Sequence, residues 1–196
     1  MWYNRIEVIY VKKIKENNVE VKKKYYDNGK ICEEKYYKDG KICREDGPAI
    51  IWYTTSGKIE EERYYKKGML CREDGPAIIW YYEDGKISYE RYCKEDKTHS
   101  VDGPAIIWYN RDGSVREERY WINDKQHRED GPTIIKYYNN GNVREERYCV
   151  NNQLHKLDGP AIIFYNRNGM VANQKYYIDG IQYDDIFKYW VIVGSY

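Results

Sequence analysis

Short apolar runs and polar, turn-forming clusters alternate along this chain at a fixed interval. The run AIIWY stands at 49–53, 77–81 and 105–109, followed by TIIKY at 133–137 and AIIFY at 161–165. Each is β-branched and aromatic, and turn-forming residues bound it on both sides, which predicts a strand. A mixed run follows, as in IEEERYY at 59–65 or VREERYW at 115–121, and predicts a second strand. Between the two lies Asn-Gly, Ser-Gly or Asp-Gly, so each unit reads as a β-hairpin with a tight turn whose central positions tolerate positive φ. No sustained 3.6-residue apolar period occurs, and helix is expected nowhere except at the C-terminus.

The glycines give the interval. Gly-Pro pairs begin at Gly47, Gly75, Gly103, Gly131 and Gly159, in steps of 28 residues. Gly29, Gly57, Gly85, Gly113, Gly141 and Gly169 keep the same step, and a third turn column runs Gly40, Gly68, Asp96, Asp124, Asn152, Gly180. Fixed self-similarity of this kind marks a repeat architecture. The expected fold is all-β: an elongated, twisted single antiparallel sheet, a repeat array of 28-residue hairpin units with atypical end caps. Residues 1–18 are expected as an N-terminal capping strand, 19–183 as repeats and 184–196 as a C-terminal cap. In the opening unit Lys22, Lys23 and Lys24 replace Ile-Ile-Trp, as suits an outer strand that must not pair with another chain. The apolar stretch 189–193 is expected to pack over the sheet end or onto a second copy.

Composition sharpens this. There are 24 Tyr and only 2 Phe, and the charged fraction is 33%. Tyr suits half-buried surfaces, so a thin, surface-rich fold is favoured over a deep core. The net charge of +1 argues against a dedicated nucleic-acid binder. No run of 18 apolar residues exists, so no membrane span is expected. The start lacks the layout of a signal peptide, and five cysteines without Cys-x-x-Cys spacing suggest reduced thiols. A cytoplasmic setting is therefore expected.

Candidate chemistry falls into columns. Cys43, Cys71, His99, His127 and His155 share one place, followed by Asp46, Asp74, Asp102, Asp130 and Asp158. Equivalent places in adjacent units lie two strands, or ~9.6 Å, apart, too far for one zinc ion. A structural turn is expected, in which Asp accepts backbone N–H bonds. Nothing marks a catalytic residue, a metal ligand or a cofactor site, since every acid–base group is repeated and no lone nucleophile stands out. Glu62-Arg63, Glu90-Arg91, Glu118-Arg119 and Glu146-Arg147 form a column whose two members point to opposite faces, with cross-strand ion pairs expected. The aromatic column Trp52, Trp80, Trp108, Lys136, Phe164 accepts a lysine, which predicts partial exposure, and a row of exposed Trp has the composition of a binding hot spot. Whether Trp52 faces Glu61 or Glu60 depends on the turn: a two-residue turn gives the first, a bulged one the second.

Segments such as YYDNGKICEEKYYKDGKICREDGPAI and YYNNGNVREERYCVNNQLHKLDGPAI resemble MORN-type repeats, in the variant found in YwqK-type bacterial antitoxin-like proteins and in giant-virus proteins. The resemblance spans roughly residues 19–183. It departs from the standard Tyr-x-Gly-x-Trp unit, which is shorter. It implies an elongated β array acting as an interaction scaffold, with no catalytic residues, and a viral source would place it in host cytoplasm or virion. The expected function is a non-catalytic scaffold for protein–protein interaction. The candidate binding residues are Trp52, Trp80, Trp108, Phe164, Arg63, Arg91, Arg119 and Arg147, or the partner binds the C-terminal cap, as a monomer or a homodimer joined there. The alternatives are nucleic-acid or anionic-membrane binding through the aromatic and Arg columns with the basic N-terminal strand, and a self-assembling structural protein.

Overall fold

The computed structural model describes the backbone of residues 8–16, residues 19–183 in full, and Gly194. The C-terminal stretch expected as a cap lies outside the described residues apart from Gly194. The described residues contain strands and turns and no helix, so the protein is all-β. The chain divides into two compact units, residues 1–97 and 98–196.

In the first unit the strands Val8–Glu16, Val19–Tyr25, Ile31–Lys38, Ile50–Tyr53, Ile59–Arg63, Ile78–Tyr81 and Ile87–Arg91 lie side by side in chain order, each antiparallel to the next. The second unit repeats the pattern with Ile106–Tyr109, Val115–Arg119, Ile134–Tyr137, Val143–Arg147, Ile162–Tyr165, Val171–Ile178 and Ile181–Tyr183. Two expectations need correction. Lys22, Lys23 and Lys24 are not on an outer strand, because Val8–Glu16 pairs beyond them. They serve neighbouring groups instead: Lys23 Nζ lies 2.7 Å and Lys24 Nζ 3.1 Å from Glu34 and Glu33. The second strand of a unit also ends early, at Arg63, Arg119 or Arg147. The residues after it make separate two-residue hairpins, such as Tyr65–Lys66 with Met69–Leu70, and Cys149–Val150 with Gln153–Leu154.

The two turn columns differ in type, and the Gly57 column takes the bulged alternative. Around Gly57 the loop holds three residues: Gly57 N donates to Thr54 O at 2.9 Å and Thr54 N to Lys58 O at 2.8 Å. Only the glycine has positive φ, +91°. This is a type I turn closed by a left-handed residue. A bulge follows at Glu60, so Tyr53 pairs Ile59 while Trp52 pairs Glu61. The two-residue turn with both residues left-handed occurs at the third column instead, for example Lys67 (φ 55°) with Gly68 (φ 86°), or Asn123 (φ 50°) with Asp124 (φ 62°).

Within each unit these small hairpins are stitched from one repeat to the next. Gly68 N donates to Ile42 O at 3.0 Å and Asp96 N to Leu70 O at 3.1 Å; in the second unit Asp124 N reaches Thr98 O at 3.0 Å and Gly180 N reaches Leu154 O at 2.9 Å. Where the turn ends in Asp or Asn, its side chain adds a bond, as Asp124 Oδ1 accepts from Thr98 N at 2.7 Å. The core lies at the start of each first strand, where Ala49, Ala77, Ala105, Thr133 and Ala161 are fully buried beside the isoleucines that follow them.

Candidate interaction face

Residues directly opposite on paired strands share a face, as do residues two apart within a strand. The register therefore builds two rows on one face of each unit. In the first unit, the sequence Glu33, Trp52, Glu61, Trp80, Tyr89 crosses successive strands, flanked by Lys35, Ile50, Arg63, Ile78, Arg91. In the second unit the rows are Trp108, Glu117, Lys136, Glu145, Phe164 and Ile106, Arg119, Ile134, Arg147, Ile162. All eight predicted binding residues stand in these rows. Trp, Glu and Arg thus meet on one face, and the Glu62-type column lies on the other.

The local geometry repeats. Arg63 Nε donates to Glu61 Oε1 at 2.6 Å while its guanidinium lies 4.7 Å from the Trp52 ring centre. Arg119 does the same with Glu117, at 2.7 Å, and Trp108, at 4.8 Å. Arg147 pairs with Glu145. These ion pairs run along one strand between residues two apart, not between strands, and they use Glu61, Glu117 and Glu145, which sequence reasoning passed over in favour of the acids adjacent to Arg. Lys136, in the Trp column, bonds Glu145 across the strands at 2.9 Å. Its side chain is only 19% exposed, whereas Trp80 is 42% exposed. Lysine is accepted there because it has a buried counter-ion, so its presence is no measure of exposure. Burial raises the Glu145 and Glu33 carboxyls, but the cations on either side of each outweigh it and hold both below the ordinary range.

The opposite face carries a tyrosine–glutamate ladder. Tyr81 OH donates to Glu62 at 2.9 Å, Tyr137 OH to Glu118 at 2.8 Å and Tyr165 OH to Glu146 at 2.9 Å. Burial and the accepting carboxylate both favour the neutral phenol: Tyr81 and Tyr137 are pushed well up, and Tyr165 to about 12.

The same ladder explains the repeated REDGP. Arg44, Arg72 and Arg128 lie over the rings of Tyr36, Tyr64 and Tyr120 at 4.2, 4.1 and 4.0 Å. Each hands its Nε to Asp46, Asp74 or Asp130, at 2.8, 3.0 and 3.0 Å. The aspartates thus accept from arginine in addition to the backbone N–H that had been expected. A Cβ on Gly131 would sit 3.0 Å from the Arg128 Cζ, so the glycine lets the guanidinium close on the turn. Sequence reasoning missed these arginines, although their place two before the Asp was the available signal.

In the Cys/His column, Cys43 Sγ accepts Lys67 N–H at 3.5 Å and His155 Nδ1 lies 2.8 Å from Asp179 Oδ1. At these two places the column reaches the first residue of the next two-residue turn, while the buried Nδ1 of His99 and of His127 has no hydrogen-bond partner. All five cysteines are free, and the described residues hold no cluster of three metal-ligating side chains.

An all-β repeat of hairpins, with aromatic, acidic and basic side chains at fixed places in each, defines a class of repeat protein. The family model of the MORN repeat variant matches residues 21–39, 50–67 and 78–94. Residues 21–94 thus carry MORN-type repeats, and the columns keep the same step through the second unit. No curated relative matches it. MORN repeats are in general involved in protein or membrane interaction, and theirs is not a typical enzyme family. No helix among the described residues is long and apolar enough to cross a membrane.

Proposed function

We propose that this chain is a non-catalytic scaffold that binds another protein in the cytoplasm through its aromatic and basic rows. Trp52, Trp80, Trp108 and Phe164 supply rigid apolar area, and Arg63, Arg91, Arg119 and Arg147 supply directional donors. One observation carries the reading: tryptophans stand partly exposed with guanidinium groups packed beside them, as at Trp52 and Trp108, and Trp and Arg are the residues enriched in binding hot spots. A nucleic-acid partner is less well served, because Arg63, Arg119 and Arg147 already carry glutamates.

The test is capture from the native source, comparing wild type with a Trp52→Ala, Trp80→Ala, Trp108→Ala variant whose circular dichroism matches. A protein held by the wild type and lost by the variant is expected. Unchanged capture by a folded variant would overturn the reading. Trp80→Ala alone, at the most exposed position, serves if the triple variant unfolds.

A further inference from the structure

The face repeats one arrangement and breaks it at two places, at Tyr89 and Arg91 and, in the last hairpin, at Asn173 and Lys175, where the base is a lysine. Arg63, Arg119 and Arg147 each donate Nε to the glutamate two residues earlier. At Arg91 that place holds Tyr89, whose ring packs on Trp80 with centres 4.5 Å apart. Arg91 Nε is buried and has no hydrogen-bond partner, and among the described residues no carboxylate lies within ion-pair distance of the guanidinium. Trp80 is also the most exposed of the column's aromatic residues described, at 42%.

We infer that Trp80 and Arg91 are the anchor of the interaction face, and that they take a peptide segment carrying a carboxylate beside an apolar side chain. This rests on the reading that the aromatic face binds protein. The apolar group lies on Trp80, and the carboxylate supplies the counter-charge that glutamate supplies in the other repeats, through a charge-assisted bond to the guanidinium. Charge complementarity favours one isolated carboxylate over a polyanion. A phosphate chain needs several free cations in a row, and Glu61, directly opposite Trp80, repels it.

The experiment titrates the full chain, by tryptophan fluorescence at low ionic strength, with blocked peptides of alternating leucine and glutamate, the same peptide with glutamine, and oligothymidylate. The glutamate peptide is expected to bind about tenfold more tightly than the glutamine one. Tyr89→Glu restores the acid found in the neighbouring repeats, so it should abolish that preference while the thermal midpoint holds or rises. Arg91→Gln should abolish it too. Equal affinity for both peptides, with both weakened by Trp80→Ala, would overturn the carboxylate inference and leave the aromatic-face reading standing. Failure of either peptide to bind would overturn the inference alone, since capture of the native partner tests the face separately. Binding of oligothymidylate instead, lost in Tyr89→Glu, would overturn both.

Discussion

A single side chain in these rows is held by its counter-charge as much as by packing, and Glu145 is the clearest case. It is 7% exposed and lies between Lys136 and Arg147. Glu145→Gln leaves two cations facing a neutral amide in a nearly dry site, and removing one partner of a buried pair is destabilising. A loss of about 2 kcal/mol is expected in denaturant unfolding, after allowing for the partial exposure of both cations. Lys136→Trp makes the opposite test. It recreates the arrangement at Trp108, with Glu145 still paired to Arg147, so stability should change by less than about 1 kcal/mol. If instead it costs as much as Glu145→Gln, the cross-strand lysine is the main support of the acid. Much of this was legible. The repeat columns put Trp and Arg in register, and period-two alternation put Glu62 and Arg63 on opposite faces. The partner acid was missed because adjacency in the chain drew attention to Glu62, whereas the face is shared with Glu61, two residues from Arg63. The exception at Tyr89 was printed in ISYER against IEEER and VREER, but it acquires meaning only once Glu61 and Glu117 are seen holding arginines.

At the scale of the hairpin, each unit uses two turns with different demands. The three-residue loop needs one left-handed residue, and Gly57 meets it at φ +91° with no atom nearer than 3.6 Å to an added Cβ. Space is therefore not the constraint. Gly57→Ala should cost roughly 1–2 kcal/mol from backbone conformation alone, read as a lower unfolding midpoint. The two-residue turn needs two left-handed residues, which Asn and Asp tolerate better than most. Asp124 gains a further role by accepting the N–H of Thr98, a buried residue. Asp124→Gly loses that bond but relaxes the φ of 62°, whereas Asp124→Ala loses the bond and keeps the strain. The alanine variant should therefore be the less stable of the two, by about 1 kcal/mol. The reverse order would mean that the left-handed backbone at 124 carries no strain. The sequence showed both columns as turns but placed the doubly left-handed turn at the first of them, because Asn-Gly is the strongest short hairpin signal. Ser56 before Gly57 pointed the other way, since serine has no special tolerance for positive φ. The two-residue strands beyond Arg63 were not legible, being too short to show any period.

Across both units the ionisable columns set a window of pH in which the folded chain is most stable. Glu33, Glu34 and Glu145 are held below their ordinary value of 4.5. In each, burial alone would raise the carboxyl, and the lysine or arginine bonds prevail. A depressed carboxyl contributes stability above the ordinary range, and that contribution disappears as pH falls through the depressed values. The phenols behave in the other sense. Tyr53 and Tyr165 are pushed from 10.0 to about 12, and Tyr81 and Tyr137 further up, by burial together with nearby glutamates. A raised phenol contributes in full below about 10, and its contribution is lost as pH climbs through the folded value, because the unfolded chain ionises first. The near-neutral composition, +1 overall, gave no hint of either limit, since they arise from pairs that cancel in the sum. Denaturant midpoints should form a plateau between about pH 5 and pH 10 and fall on both sides. Replacing Tyr81 and Tyr137 with Phe should lower the plateau, since Glu62 and Glu118 each lose a hydroxyl donor, and should also flatten the alkaline fall. If the alkaline fall keeps its slope without those hydroxyls, the ladder is not what limits stability at high pH, and the remaining raised tyrosines and Lys23, held above its usual value by Glu34, must carry it.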